Sequence, residues 1–499
     1  MLPQPRADLK PNTPEYERIP LVKATGFREY DARWLFEKEI NLYGIQALGL
    51  GLGTYLHERG VRPHIVTGHD FRSYSMAIKQ ALTVGLMASG CTVYDIGLAL
   101  SPMAYFAQFA LDVPAVAMVT ASHNDNGWTG VKMGCDRPLT FGPDEMTALK
   151  EIVLGGKWKL RSGGNLVHVT DLAERYVADL VKGGKIGRKL KVVAACGNGT
   201  AGAFAPRVLK DLGCEVVPLD CDLDFTFPHY NPNPEDMEML HAMSAKVKET
   251  GADVGLGFDG DGDRCGVVDN NGHEIFADKV GVMLARDMST LYPGSTFVVD
   301  VKSTGLFATD PVLKKNGAKT DYWKTGHSYM KRRTNELGAI AGFEKSGHYF
   351  LRPPFGLGYD DGLASAIAAV RMLDRAGNKS MADLYNDLPK TFGSPTMSPH
   401  CPDEKKYGIV EKVTAHFQKL AKEGAKLAGQ KIDNLVTVNG VRVTLADGTW
   451  GLVRASSNKP ELVVVCESPV SDAQMRAMFA EIDKHLSSYP EVGEYNQKI

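Results

Sequence analysis

The densest chemistry in the sequence is the run GFDGDGDRCG, where Asp259, Asp261 and Asp263 alternate with glycine. Glycine lets the backbone turn tightly, so three carboxylates can fold inward together. They repel one another unless a cation or the adjacent Arg264 offsets them, and hard oxygen donors clustered this way suit Mg²⁺. An EF-hand is excluded: its sixth position would be Arg264 rather than Gly, and its twelfth Asn270 rather than Glu. The competing reading is a polar turn that merely tolerates aspartate.

Three other segments carry reactive groups. In TASHNDNGWTGVK, Ser122 follows an apolar strand and sits in a small-residue loop. A serine hydroxyl is a weak nucleophile that must be activated or already modified, and no G-x-S-x-G elbow surrounds it. His123 is a candidate base, although neighbours on a strand point apart. Lys132, on the segment leaving the loop, could neutralise a phosphoryl group. Read alone, these are ordinary turn and surface residues. GFEKSGHYF offers Glu344, Ser346 and His348, able to bind vicinal hydroxyls or move a proton, against the default of a surface turn. RASSNKPEL places Arg454, Ser456, Ser457 and Asn458 between two strands, either a phosphate nest or a polar hairpin. GFREYDARW groups Arg28, Tyr30, Asp31 and Arg33 as an ion-pair cluster or an anion contact, and His327 opens a helix as a ligand contact or a start residue.

The elements that must position these groups repeat three times. PHIVTGHDFRSYSMAIKQALTVGL, KVVAACGNGTAGAFAPRVLKDLG and TFVVDVKSTGLFATDPVLKKNG each read as strand, small-polar turn and helix. A second strand follows each (CTVYDIGLALS, CEVVPLDCD, AKTDYWKTG), and a third closes each unit (AVAMVT, ADVGLGFD, LGAIAGFE). The serine, aspartate and Glu-x-Ser-x-His loops follow those third strands. Ligands gather at strand carboxyl ends in α/β sheets, so the three loops are expected to serve one site. The last hundred residues differ: VTVNGVRVTLADGTWGLVRASSNKPELVVVCES predicts antiparallel strands with turns at Asn439-Gly440 and Asp447-Gly448. A helix follows, capped at Ser471 or Asp472.

The expected architecture is three similar α/β domains with mixed, mainly parallel sheets plus a C-terminal α+β domain with an antiparallel sheet, arranged around a central cleft. The expected boundaries are 1–168, 169–275, 276–395 and 396–499. A chain of 499 residues is too long for one core, and its 43% hydrophobic and 23% charged residues are ordinary for a globular protein. A net charge of −2 offers no global field for nucleic acid or an anionic membrane. Eight scattered cysteines without a C-x-x-C pair argue against a zinc site or disulfide scaffold. The N-terminal twenty residues lack an apolar leader, and the run YGIQALGLGLGTYL is too short and Gly-punctuated to span a bilayer. A cytoplasmic location is the expectation, and oligomeric state is not legible.

Together these motifs resemble the α-D-phosphohexomutase superfamily, in its bacterial phosphomannomutase/phosphoglucomutase branch. TASHN is similar to that family's phosphoserine loop, DGDGDR to its Mg²⁺ loop, GFEKSGH to its sugar loop, RASSNKP to its phosphate loop and FREYDARW to its amino-terminal element. The resemblance implies a phosphorylated Ser122, and Mg²⁺ held by Asp259, Asp261, Asp263 and a phosphoserine oxygen. It further implies sugar contacts from Glu344 and Ser346, and a distal phosphate on Arg454, Ser456, Ser457 and Asn458. Proton transfer would fall to Lys132 and His348, with His327 and Arg264 lining the cleft. The implied activity moves a phosphate between C1 and C6 of mannose and/or glucose, through a 1,6-bisphosphate that also primes the enzyme. A bisphosphate must reorient, so a hinged fourth domain is expected. The sequence departs from the family at Asp125, where proline is usual, at Lys459 for glutamate and at Trp34 for glycine. The S-G-H loop and Gly262 lean away from the glucosamine branch. The rival functions are a metal-dependent sugar phosphatase and a non-catalytic sugar-phosphate-binding protein.

Overall fold

The computed structural model describes residues 4–456 and 459–499. The chain divides into two compact units, one of residues up to Ala277 together with Ser346–Ala382, the other of Asp278–Lys345 together with Asp383–Ile499.

The first unit opens with strands β1 (Ala32–Leu35), β2 (His64–His69), β3 (Thr92–Leu98), β4 (Ala115–Val119), β5 (Trp128–Gly134) and β6 (Asn165–His168), ordered β1-β5-β4-β2-β3-β6. Strands β4, β2, β3 and β6 run parallel, while β5 returns antiparallel to β4. The glycine-rich segment suspected of packing forms helix α1 (Leu42–Glu58), capped by Asn41, whose side chain accepts from Gly44 N–H. It crosses α2 (Ser75–Ala88) at glycine: a Cβ on Gly49 would lie 2.3 Å from the Leu82 carbonyl oxygen. A second sheet joins β7 (Lys191–Ala195), β8 (Glu215–Leu219), β9 (Val254–Phe258), β10 (Cys265–Asp269) and β11 (Glu274–Ile275) in the order β11-β10-β9-β7-β8.

In the second unit, β12 (Thr296–Asp300), β13 (Lys319–Trp323) and β14 (Ala341–Phe343) lie in the order β13-β12-β14, all parallel. The three repeats therefore share one topology, with the third strand beside the first and the second on its far side. Residues after β14 return to the first unit, including β15 (Tyr349–Leu351). The C-terminal strands β16 (Phe392–Gly393), β17 (Lys426–Leu427), β18 (Gln430–Val436), β19 (Val441–Leu445), β20 (Trp450–Ala455) and β21 (Leu462–Ser468) make a wholly antiparallel sheet. The expected turns join β18 to β19 and β19 to β20, and Ser471 caps the final helix, Asp472–Leu486, by accepting from Gln474 N–H. Among the described residues no helix is long and apolar enough to cross a membrane.

Within the second unit a buried polar network joins the C-terminal sheet to the β12 layer. The Arg442 guanidinium lies over Trp450 at 3.6 Å and Tyr322 at 4.2 Å, and donates to the Val301 and Ser303 carbonyls. Glu467 accepts from Lys279 at 2.8 Å, Thr304, Gly305 N–H, Thr391 and Trp450 Nε1. Movement of the C-terminal sheet alone has to break these contacts and leave charges buried, a costly change.

Burial alone would raise the Glu467 carboxyl, but Lys279 and the backbone and hydroxyl donors hold it down at about 2. A depressed folded-state value stabilises the fold above the ordinary carboxyl range, and that contribution is lost as pH falls from 4.5 toward 2. Glu467→Gln should cost about 3 kcal/mol at pH 7, and the gap to the parent should close over that acid window, read by urea denaturation across pH.

Candidate active site

Ser122 leaves the end of β4 in a left-handed conformation, φ +52°, which an L-residue adopts only when its surroundings hold it there. Its N–H donates to Thr120 Oγ1 at 2.9 Å, and its carbonyl accepts from Arg72 at 3.1 Å. The Arg72 fork also takes the carbonyls of Asn124 and Asp125, and Asp70 holds that guanidinium from 3.3 Å. Arg33 reaches the same loop from β1, donating to the Ala121 carbonyl at 2.7 Å and to Asn124 Oδ1. The turn before β1 places Arg28 and Tyr30 half-buried, with Arg28 N–H on the Asp31 carbonyl. Arg72 and Arg33 thus hold the loop through residue 125 from outside it. Trp34, the other departure here, is fully buried, with Nε1 on the Lys23 carbonyl.

Strand alternation, which would turn His123 away from Ser122, does not extend into this loop. The positive φ at Ser122 ends strand alternation, and His123 Nδ1 lies 3.1 Å from the serine Oγ. Burial, then the nearby Arg264 and Arg33 charges, hold this imidazole well below its usual range, so it is neutral. Arg264 donates to its Nδ1.

The aspartate loop follows β9 and meets the serine loop backbone to backbone. A Cβ on Gly260 would lie 2.3 Å from the Ser122 carbonyl oxygen, so only glycine fits. Asp259, Asp261 and Asp263 are completely buried, and one oxygen from each lies within 4.8 Å of the others. Ser122 Oγ donates to Asp259 at 3.0 Å. Lys132 on β5 bridges Asp261 at 2.6 Å and Asp263 at 2.5 Å, and Ser101 Oγ bonds Asp261. Burial, then repulsion from Asp263, pushes Asp259 up to about 7. Burial would raise Asp261 too, but the Lys132 charge overrides it and holds that carboxyl well below the usual range. Arg264 reaches Asp259 at 3.2 Å. Buried Oδ1 atoms of Asp261 and Asp263 have no hydrogen-bond partner among the described residues. Asp259, Asp261 and Asp263, three carboxylates with two open oxygens, fit a hard divalent cation.

His348 completes the cluster in the first unit, its Nδ1 3.0 Å from Asp360 and 3.7 Å from Asp263. Ser346 is half-buried there. In the second unit, Glu344 is buried and accepts from Gly326 N–H, directly before the buried His327. Asp300, at the end of β12, fixes this region by accepting from Ser303, Thr325 and Lys345 N–H. Arg454 and Ser456 are buried at the end of β20, with Arg454 donating to the Ala455 carbonyl. Ser457 and Asn458 lie outside the described residues. The exposed Lys459 turns its N–H to Ser456 Oγ at 3.3 Å.

Sequence reasoning passed over Asp70, Arg72, Ser101 and Asp360. The first two had a signal, because they follow the first strand of the repeat that carries Ser122 after its third.

Family profiles cover most of the chain. Phosphoglucomutase/phosphomannomutase alpha/beta/alpha domains I, II and III match residues 24–159, 174–272 and 276–392, and the C-terminal domain matches 400–485. A phosphomannomutase/phosphoglucomutase of Pseudomonas putida is 35% identical over 90% of this chain and 93% of its own. The chain belongs to the phosphoglucomutase/phosphomannomutase family. It is a mutase, with mainly parallel mixed sheets in three domains and an antiparallel sheet in the fourth. A phosphoglucomutase of Neisseria meningitidis is 32% identical over 90% of this chain and 94% of its own. A crystal structure of a family protein from Burkholderia thailandensis superimposes with TM-score 0.85 at 30% identity, covering 96% of this chain and all of that one.

Arg72 positions the serine loop through carbonyls. Arg72→Lys keeps the charge but loses the fork, and should lower kcat about 100-fold with little change in KM, read by steady-state kinetics.

Proposed function

We propose that the protein interconverts the 1-phosphate and 6-phosphate of a hexose, mannose and/or glucose, through a phosphorylated Ser122. The observation that carries this reading is Ser122 Oγ donating to Asp259 at 3.0 Å, with His123 Nδ1 only 3.1 Å away, inside a fully buried carboxylate cluster. A nucleophile held at 3.0 Å from a cation site suits phosphoryl transfer, which depends on positioning and charge neutralisation. Asp259, Asp261 and Asp263, with an oxygen on Ser122, would hold Mg²⁺, which when bound supplies positive charge to the transferring phosphoryl group.

In the forward half-reaction the Ser122 Oγ–phosphorus bond breaks as a sugar hydroxyl oxygen bonds to phosphorus. Lys132 is held protonated by Asp261 and Asp263, so the hydroxyl proton passes to His348, oriented by Asp360. The hexose 1,6-bisphosphate then returns its other phosphate to Ser122. Arg264 and Lys132 stabilise charge on the phosphoryl oxygens; Glu344 and Ser346 bind sugar hydroxyls, with Arg28, Tyr30 and His327 as further contacts. Arg454, Ser456, Ser457 and Asn458 hold the phosphate that is not reacting. Glucose 1,6-bisphosphate serves as the primer that restores a phosphorylated Ser122.

With Mg²⁺ and trace glucose 1,6-bisphosphate, a coupled assay should show isomerisation of glucose 1-phosphate or mannose 1-phosphate without release of inorganic phosphate. Release of phosphate would support the phosphatase reading instead. Ser122→Ala should lower turnover about 10⁴-fold or more while retaining sugar-phosphate binding in calorimetry. Chelation of divalent cations should abolish turnover, and Mg²⁺ should restore it.

A further inference from the structure

All eight cysteines are free thiols, but Cys196 and Cys221 stand in contact, their sulfurs 3.5 Å apart. Cys196 follows β7 directly and Cys221 lies two residues beyond β8, and those strands are parallel neighbours with Ala195 opposite Leu219. Adjacent strands lie about 4.8 Å apart, inside the Cα separation a disulfide spans. Cys196 is completely buried, whereas Cys221 is half-buried and accessible to a small oxidant.

What surrounds the pair gives it a consequence. The loop after Cys196 lies under the aspartate loop: Thr200 N–H donates to the Gly260 carbonyl at 3.0 Å. A Cβ on Gly199 would sit 3.0 Å from Gly260 Cα. Thr200 Oγ1 also accepts from Phe71 N–H at 3.4 Å, next to Arg72. The segment after Cys221 carries Phe227, which lies under the Arg72 guanidinium at 5.2 Å, and Asn231, which donates to Asp125. Asn198 ties the two segments together, with its N–H on the Asp220 carbonyl and Nδ2 on that of Asp222. Bonding the sulfurs shortens their separation from 3.5 Å to about 2.05 Å and draws together the two segments that carry these contacts.

We propose that Cys196 and Cys221 form a reversible disulfide under peroxide, and that its closure displaces the aspartate and serine loops and turns the enzyme down. The regulatory half rests on the proposed role of Ser122. The Cys221 thiolate attacks a peroxide oxygen, forming an S–O bond as the O–O bond breaks, and hydroxide leaves to become water. Cys196 sulfur then attacks Cys221 sulfur, forming the S–S bond and expelling the second oxygen as water after proton transfer. Two thiols and one hydrogen peroxide thus give one disulfide and two waters, and a dithiol reductant reverses the change.

The test treats the full-length protein with hydrogen peroxide, alkylates remaining thiols, and maps peptides by mass spectrometry beside mutase activity. A Cys196–Cys221 peptide pair about 2 Da lighter than the two thiol peptides should appear. Activity should fall about tenfold or more and return with dithiothreitol. Cys221→Ser should retain the reduced activity, form no linked pair and resist peroxide. Oxidation of Cys221 to sulfinic acid with no linked pair in the parent protein would overturn the disulfide. A linked pair with unchanged activity would overturn the regulatory half. Peptide mapping of the parent needs neither turnover nor a folded variant, so absence of mutase activity counts against the Ser122 reading and leaves the disulfide decided on its own.

Discussion

Three carboxylates without water around them would drive each other apart, and the first unit is organised by what prevents this. Lys132 bridges two of them from a strand of the first sheet, and Arg264 reaches the third from within its own loop. The Lys132 pairs bind the second sheet's loop to the first sheet, so the aspartate and serine loops meet because charge must be neutralised. Glycine at 260 then permits backbone contact that any side chain would block. Ser122, Asp259 and His123 fall into hydrogen-bond range as a result. Close approach sets the geometry, and the ion pairs hold it.

Much of this was legible in the chain itself. The strand–helix alternation carried the repeat, and the structure repeats one strand order in all three copies. The carboxylates and serine stood out because alternating glycines and a polar loop after an apolar strand are local features. Arg72, Asp70 and Asp360 were hidden because their role is a distance across space between segments remote in sequence. The role of His123 stays open in the sequence because strand periodicity does not show where Ser122 turns left-handed. The aromatic clamp on Arg442 has no local pattern: Tyr322 and Trp450 come from separate sheets.

The second unit follows a different rule. Its polar network brings the C-terminal sheet onto the β12 layer with a carboxylate that accepts five hydrogen bonds and a guanidinium between two rings. Ion pairs that satisfied bind direction as well as distance, so they select one seating of the sheet over neighbouring ones. Arg454 lies near the end of β20 in that same sheet, and Ser456 follows it.

The arginine grip on the serine loop has a corollary for how such a sequence drifts. A clamp that closes on carbonyl oxygens is blind to side-chain identity, since every residue type presents the same acceptor. At Asp125, for one, Arg72 takes the main-chain oxygen at 3.0 Å. A change of side chain within the loop leaves these main-chain bonds in place, whereas loss of the Arg72 guanidinium releases the loop at several carbonyls at once, and loss of Arg33 at one more.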